Sequence, residues 1–455
     1  MNKLKTSLSV LVVALGFIST ATVAKVTAEQ AAALGVTLTP VGAKIEGNAA
    51  GTIPKWEGGL TSKNTPKSKD GGRPENPFPE DKALFFISNA NLSEYTDNLS
   101  AGQIAMFKKH PGYTMPVYET KRTVSYPENI NAIAKENATN AILSNGGNGV
   151  KNMKVAFPFP IPDGGYEVIW NHLTRFRSGS AKRFITTIPV QKDGSYSVVR
   201  MNDQLVWPEF LVSGRDAKKD DNILFYYLQT ITAPARLTGT SLLVHETLDQ
   251  VKDPRRAWVY NSGQRRVRRA PNVAYDSPGE GTDGLRTMDN TDMYNGAPDR
   301  YDWKLVGKKE LYIPYNAYKL LDTTAKYKEI VKEGYLNPEF LRYELHRVWE
   351  VEATLKEGAR HIYAKRTMFI DEDSWSASVI DQYDGRGNLW KLSEGHGIQF
   401  YDVDTPWLAA ETLYDLNSGR YLVAGLSNEE PKFMVWGNDA KRKDFSTSAL
   451  RRKGR

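Results

Sequence analysis

"RFITTIPVQKDGSYSVVRM" (183–201) is where the chain changes period. On either side of "KDGS", apolar and polar residues alternate, and an Asp-Gly pair between two such runs is a strong β-hairpin signal. Before about Lys182 the apolar residues recur at helical spacing or are broken up by turn residues. After it they recur every second position. "NILFYYLQTITAPARLTGTSLLVHETL" (222–248) supplies two more strands bent at Pro234, and "RRAWVYNSGQRRVRRAP" (255–271) reads as another hairpin. "YDWKLVGKKELYIPY" (301–315), "YELHRVWEVEATL" (343–355), "HIYAKRTMFID" (361–371), "SASVIDQYD" (376–384), "LWKLSEGHGIQFYDV" (389–403) and "LYDLNSGRYLVAGL" (413–426) continue the series. Strands in succession, joined by short turns such as "DGRGN" (384–388), describe an antiparallel sheet. A sheet this long curls or splits. The expected class is therefore mainly β with helices (α+β), a curled antiparallel sheet forming an incomplete barrel.

The part before the hairpins is different. "TAEQAAALG" (27–35) places Thr27 and Gln30 as a capping box and Gly35 as a left-handed stop. Residues 48–81 are too rich in Gly, Pro and Lys to hide a core and read as a surface-wrapping segment. "SYPENINAIAKENATNAILSNGGNG" (125–149) reads as a helix with Pro127 in its first turn and Ile130, Ile133, Ala134, Asn137 and Ala141 on one face. "FPFPIP" (157–162) suits a polyproline segment, and "DGGYEVIWNHLTRF" (163–176) a short amphipathic helix.

The chain opens with "MNKLKTSLSVLVVALGFISTATVAKV" (1–26): two lysines, an apolar run from Leu8 to Ile18, then small residues to Ala24. That is the layout of a cleavable secretory leader, and the run is shorter than the roughly 20 residues a permanent span needs. The expected organisation is a leader at 1–24, a helical and extended wrapping region at 25–163, the sheet domain at 164–440 and a flexible basic tail at 441–455. The expected location is the periplasm, with no cysteine to take a lipid anchor. Without disulfides, stability rests on the core, and a chain of about 430 residues buries a large one. The formal charge of +7 includes Lys3 and Lys5 of the leader. For an exported protein the matching anions are lipid headgroups or acidic metabolites rather than nucleic acid.

Signatures of hydrolytic catalysis are missing from the sequence: no G-x-S-x-G, H-E-x-x-H or P-loop. "NGGNG" (145–149) lacks the lysine and preceding strand of a phosphate cradle. The six histidines are dispersed without metal spacing, and His245-Glu246 in a strand point to opposite faces. "DEDS" (371–374) reads as a solvated turn rather than a calcium loop. No catalytic residue, cofactor or metal ligand is assigned. The strands are, however, strongly aromatic, with 10 Trp, 23 Tyr and 16 Phe in the chain. Phe225, Tyr227, Trp258 and Tyr260 are the candidates to line a cavity for an apolar ligand, against an ordinary aromatic core.

Several long stretches carry a family resemblance: 36–60, 157–177, 256–278, 289–320 and the closing "STSALRRKGR" (446–455). Together they resemble a family of exported Gram-negative proteins of unknown function whose members are often labelled outer-membrane lipoprotein-sorting proteins. From about Gly164 the layout is also similar to the lipoprotein carrier LolA and receptor LolB, in the "WVY…RRVRR" hairpin and in Asp384, Gly387, Leu389 and Lys391 of the following turn. The resemblance implies a half-barrel around an acyl-chain cavity, and company with an inner-membrane transporter of the resistance-nodulation-division type and an outer-membrane protein.

Alternation in the 255–271 hairpin puts Trp258 and Tyr260 on one face and Ala257 and Val259 on the other. Arg265, Val267 and Arg269 share a face, with Arg266 and Arg268 opposite. Unpaired arginines do not stay buried, so Arg265, Arg266, Arg268 and Arg269 are the candidates for a rim that orients an anionic headgroup, against a charge-protected sheet edge. The basic tail suits peripheral contact with an acidic membrane. The reading that results is a periplasmic carrier or chaperone of hydrophobic, lipid-like cargo working with envelope transport machinery. Its rivals are a hydrolase of envelope lipid or glycan and a cargo-free scaffold of a transporter.

Overall fold

The computed structural model describes residues 26–453 except 66–67, 69–71, 271–272, 274 and 438, so the leader expected at 1–24 lies outside the described residues. The N-terminal part holds α1 (Ala28–Ala32), β1 (Phe85–Ile87), α2 (Ala101–Lys109), β2 (Met115–Val117), α3 (Glu128–Asn140), β3 (Ile142–Ser144), β4 (Gly149–Lys151) and α4 (Gly165–Thr174). The capping box on α1 forms as expected, and Gly35 takes φ +81°. Pro127 stands one residue outside α3, as its cap, and Ile130, Ala134 and Asn137 are buried on one face.

Six strands follow: β5 (Ser180–Val190), β6 (Val199–Val206), β7 (Ile223–Ala233), β8 (Ser241–Thr247), β9 (Arg256–Asn261) and β10 (Arg266–Arg269). After a long connection come β11 (Tyr301–Pro314), α5 (Tyr327–Ile330), β12 (Tyr343–Leu355), β13 (Lys365–Asp371), β14 (Ala377–Tyr383), β15 (Leu389–Phe400), β16 (Thr405–Asp415), β17 (Tyr421–Ala424), β18 (Met434–Trp436) and α6 (Thr447–Lys453). All but β3 and β4 belong to one 16-stranded, mainly antiparallel sheet that curls without closing.

Strand order explains the architecture. β5 enters mid-sheet, and β6 to β10 walk outward from it to one edge. The chain then crosses to the far edge at β11, and β12 to β17 walk back until β17 pairs with the other side of β5. A meander that starts in the middle has to cross its own sheet once. The crossing segment, residues 275–300, lies over the inner face: its Asp289 binds Arg366 of β13, and Tyr294 presents its carbonyl to His172 of α4. The short β1–β2 pair, joined through α2, meets β12 where Val117 pairs with Tyr343.

The expected amphipathic helix at 163–176 forms but is not amphipathic in place. In α4 every residue except Tyr166 is buried, because the helix sits between the sheet and the N-terminal wrap. Its first turn presses so close to β11 that a Cβ on Gly165 would stand 2.6 Å from the Trp303 carbonyl. Val41, Ile53, Met106 and Phe107 of the N-terminal region join the same hydrophobic core as the strands. The tail expected to be flexible is instead a packed helix: Leu450 of α6 is buried with Phe445 against Tyr226, Leu243 and Tyr260 on the outer face of β7–β9.

Candidate functional site

An apolar hollow lies between the inner face of β5–β8 and the crossing segment, with Val273 at its β8 end and Trp407 at its β5 end. Its cavity proper is small, about 70 Å³, and it opens into about 750 Å³ of space that includes the mouth. Period-2 alternation builds its wall: Leu205 on β6, Phe225 and Tyr227 on β7, and Leu242 and Val244 on β8 all turn the same way. The roof comes from Gly279 to Asn295, a segment folded on itself by Gly279 N–H to the Arg286 carbonyl (2.9 Å) and Met288 N–H to the Ser277 carbonyl (2.8 Å).

Charge rings this hollow. Arg183 forks Asp203 across the β5–β6 ladder at 2.9 and 2.6 Å and stacks 4.7 Å from the Trp407 ring. Arg177 binds Asp292 and lies over Trp207 and Phe225. Arg255 binds Glu246 at 2.5 Å and donates to the Val273 carbonyl at 3.0 Å. Arg175 also reaches Asp292, at 2.6 Å. Although burial opposes its charge, these guanidinium groups hold Asp292 well below the usual carboxylate range. Burial drives Arg177 down to about 10. His172, at the end of α4, is pushed down to about 3 by burial and by Arg175, and so stays neutral. Its Nδ1 accepts the Ala377 N–H at 3.0 Å, which leaves Nε2–H to donate to the Tyr294 carbonyl. The fourth cation bordering the hollow, Arg286, has no such partner among the described residues.

Phe225 and Tyr227, singled out from the sequence, border the hollow. Trp258 and Tyr260 do not. The β8–β9 register pairs Leu243 with Trp258 and Val244 with Ala257, so Ala257 and Val259 join Leu242, Val244 and Val273 on the inner face. Trp258 and Tyr260 pack outside, against Phe445 and Leu450. Arg265, Arg266, Arg268 and Arg269 are exposed on the β9–β10 hairpin, away from the lining, and among the described residues none of them makes an ion pair or side-chain hydrogen bond. The cations at the cavity are Arg177, Arg183, Arg255 and Arg286 instead. Arg255 belongs to the same arginine-rich stretch, but its counter-charge comes from Glu246 on the neighbouring strand. His245, beside it, faces outward against Tyr226 and Trp258, as alternation requires.

Two further polar clusters are buried. "DEDS" (371–374) is not a solvated turn: Asp371, Glu372, Asp373 and Ser374 are all buried, at 0–5% exposure. Asp371 and Asp373 come within 4.8 Å of His346, a trio whose donor set could hold a metal ion and which sequence spacing could not bring together. Arg122, however, already forks Asp373 at 2.9 and 2.6 Å, and Glu344 holds His346 Nε2 at 3.1 Å. A cation there would have to expel a guanidinium that neutralises the site. The second cluster joins α2 to β14 and β15. Asp381 takes the Gly102 N–H and the Ser100 hydroxyl, and Glu394 takes Gln103 and the Tyr343 hydroxyl at 3.1 and 2.9 Å. Burial raises Asp381 to about 6 and Glu394 to about 7. Neither cluster borders the apolar hollow.

Residues 86–451 match a family model described as "Protein of unknown function (DUF1329)". The chain is 54% identical over 444 residues to an uncharacterized protein of Pseudomonas aeruginosa, covering 97% of both chains. Among solved structures it is similar to a Vibrio parahaemolyticus domain named for outer membrane lipoprotein sorting (14% identity, 63% of this chain and 98% of that one, TM-score 0.44). It is also similar to a LolA superfamily protein of Nitrosomonas europaea (14% identity, 63% of this chain and 100% of that one, TM-score 0.38).

Proposed function

The chain belongs to the DUF1329 family, and from that premise we propose that it is a periplasmic carrier or chaperone holding a hydrophobic, lipid-like cargo in the hollow under its crossing segment and working with envelope transport machinery. The observation that carries this reading is the hollow itself. Its wall of Leu205, Phe225, Leu242 and Val244 presents apolar side chains to open space. Burying one methylene contributes about 0.8 kcal/mol, so a chain of about ten carbons offers roughly 8 kcal/mol before entropy costs, against about 0–1 kcal/mol for an exposed ion pair. Apolar burial sets the affinity in such a carrier; charge sets orientation and encounter.

The leader-like opening supports the periplasm, and no helix of the described residues is long and apolar enough to cross a membrane. Contact with an acidic membrane surface would come through the outer face, where exposed Arg451, Arg452 and Lys453 of α6 pack beside exposed Arg266, Arg268 and Arg269 of β10. Each basic residue near an anionic surface adds about 1 kcal/mol. The reading requires no bond chemistry.

Native mass spectrometry of the purified protein, with organic extraction of what accompanies it, tests the proposal. Bound lipid-like species released by solvent are the expected result. Protein that is consistently empty and also fails to take up acyl probes would remove the carrier reading, and turnover of ester or glycan substrates would replace it with the hydrolase.

A further inference from the structure

Four guanidinium groups border the hollow, and three of them are matched by a carboxylate: Arg183 by Asp203, Arg177 by Asp292 and Arg255 by Glu246. Arg286 is the exception. Among the described residues its side chain makes no hydrogen bond and no ion pair, and its Nε is buried without a partner. The residue is nevertheless held in place, because its carbonyl accepts the Gly279 N–H at 2.9 Å and closes the fold of the crossing segment. The anchor is fixed and the head is unmatched.

The acids nearby do not answer it. Glu411 feels the charge of Arg286 but lies outside ion-pair distance. It accepts the Met293 N–H at 2.8 Å, and burial still raises its pKa. Glu280, which also borders the hollow, is exposed and makes no ion pair among the described residues. A guanidinium carries five N–H donors in a fork that fits a carboxylate or phosphate, and leaving such donors unmatched in a partly buried place is unfavourable. A ligand that brings an oxyanion removes that cost at the moment it binds, whereas a neutral ligand leaves it standing.

We propose that the cargo is an amphiphile with an acidic headgroup, a carboxylate or a phosphate, which pairs with Arg286 while its chain lies among Leu205, Phe225, Leu242, Val244 and Trp407. This rests on the carrier reading of the hollow. It adds the chemical class of the headgroup and the residue that selects it.

Three probes with the same chain separate the terms: dodecanoate, dodecyl phosphate and dodecanol, titrated calorimetrically into the full-length mature protein at pH 7.5, below their aggregation concentrations. At least one of the two acids is expected to bind roughly tenfold tighter than the alcohol, the factor a charge-assisted hydrogen bond supplies. The acid that shows the preference tells whether a fatty acid or a phosphorylated lipid is the source. Arg286→Met is expected to lose that preference while dodecanol binding stays within about twofold, and Arg286→Lys to keep most of it. The thermal midpoints of both variants report that they are folded. Equal binding of acids and alcohol by the unaltered protein, or a preference that survives in Arg286→Met, overturns the headgroup assignment and leaves the carrier reading standing. Failure of all three probes to bind the unaltered protein removes both.

Discussion

The two arms of the curled sheet are made of the same alternating strands and finished in opposite ways. Against β11–β15, α4 and the crossing segment fill the inner face while α2 packs on the outer one, and several of the polar groups that join these layers are paired. Trp170 donates to the Gly147 carbonyl at 2.8 Å, and Asn171 clasps the backbone of Phe159 from both sides. Arg366, fully buried, lies about 5 Å from the rings of Tyr294, Tyr301 and Tyr363 and binds Asp289 at 2.6 Å. A Cβ on Gly102 would meet Asp381 at 2.3 Å, so α2 docks on that carboxylate with no room to spare. Against β5–β8 no helix of the described residues lies inside; the crossing segment roofs the strands without filling them, and one guanidinium stays unmatched among the described residues. One inner face is covered by a helix, while the other keeps apolar wall and an unpaired cation at a hollow, the feature on which the proposed carrier reading rests.

The sharpest test of this contrast is truncation on each side. Trp170→Ala, on the filled side, should lower unfolding stability in urea by about 3–5 kcal/mol, the cost of emptying a packed aromatic site. Leu242→Ala, whose side chain already borders open space, should cost only about 1–2 kcal/mol, because transfer is lost and little new cavity is made. Equal losses would mean that the hollow closes up in solution.

Next comes pH. Burial raises Glu394 to about 7, so between the ordinary carboxylate range near about 4 and about 7 the unfolded chain gives up this proton first. Its contribution to stability is present at low pH and is lost as pH rises through that window. Asp381, raised to about 6, acts in the same direction. In Glu394→Gln the new amide can accept from Gln103 and donate to the Tyr343 hydroxyl, which turns its own proton to Tyr113. The variant should therefore be more stable than the parent at pH 8, by on the order of 2 kcal/mol, with the difference gone by pH 4. Thermal unfolding at a series of pH values reads it.

Enlarging a side chain should be tolerated on the open side alone. Val244→Phe, pointing into the hollow, is expected to change stability by less than about 1 kcal/mol while abolishing uptake of acyl probes, whereas overpacking a filled core costs about 1–3 kcal/mol. The smallest effect on folding belongs to the outer face. Replacing Arg266, Arg268 and Arg269 together by Glu should leave stability within about 0.5 kcal/mol and reduce co-sedimentation with anionic vesicles at low salt, without touching probe uptake.

Much of the sheet was legible because period and turn chemistry are local. The residues of "YELHRVWEVEATL" are those of β12, and the Asp-Gly and "DGRGN" turns close the hairpins they announce. The short strands β1–β4 and β18 were not legible, since three residues carry no period. Phe225 and Tyr227 border the hollow while Trp258 and Tyr260 face away from it, and the sequence did not separate them for one reason: alternation says that Trp258 and Ala257 face opposite ways but not which way is in. The buried "DEDS" loop looked solvated because the arginine that neutralises Asp373 stands 251 residues away.

By itself, then, the sequence determined the alternating strands, the helix caps and a chain whose period changes near Lys182. These depend on neighbours within a few residues. Only the tertiary structure decided which face of each strand is interior, that the basic tail folds down as a helix, and that Arg183, Arg177 and Arg255 are matched while Arg286 is not. Those outcomes turn on a crossing from one sheet edge to the other, which brings Asp292 to Arg177 from 115 residues away. Over such separations the strength of a charge pair or an apolar contact is set by where the backbone passes, and no local pattern encodes that path.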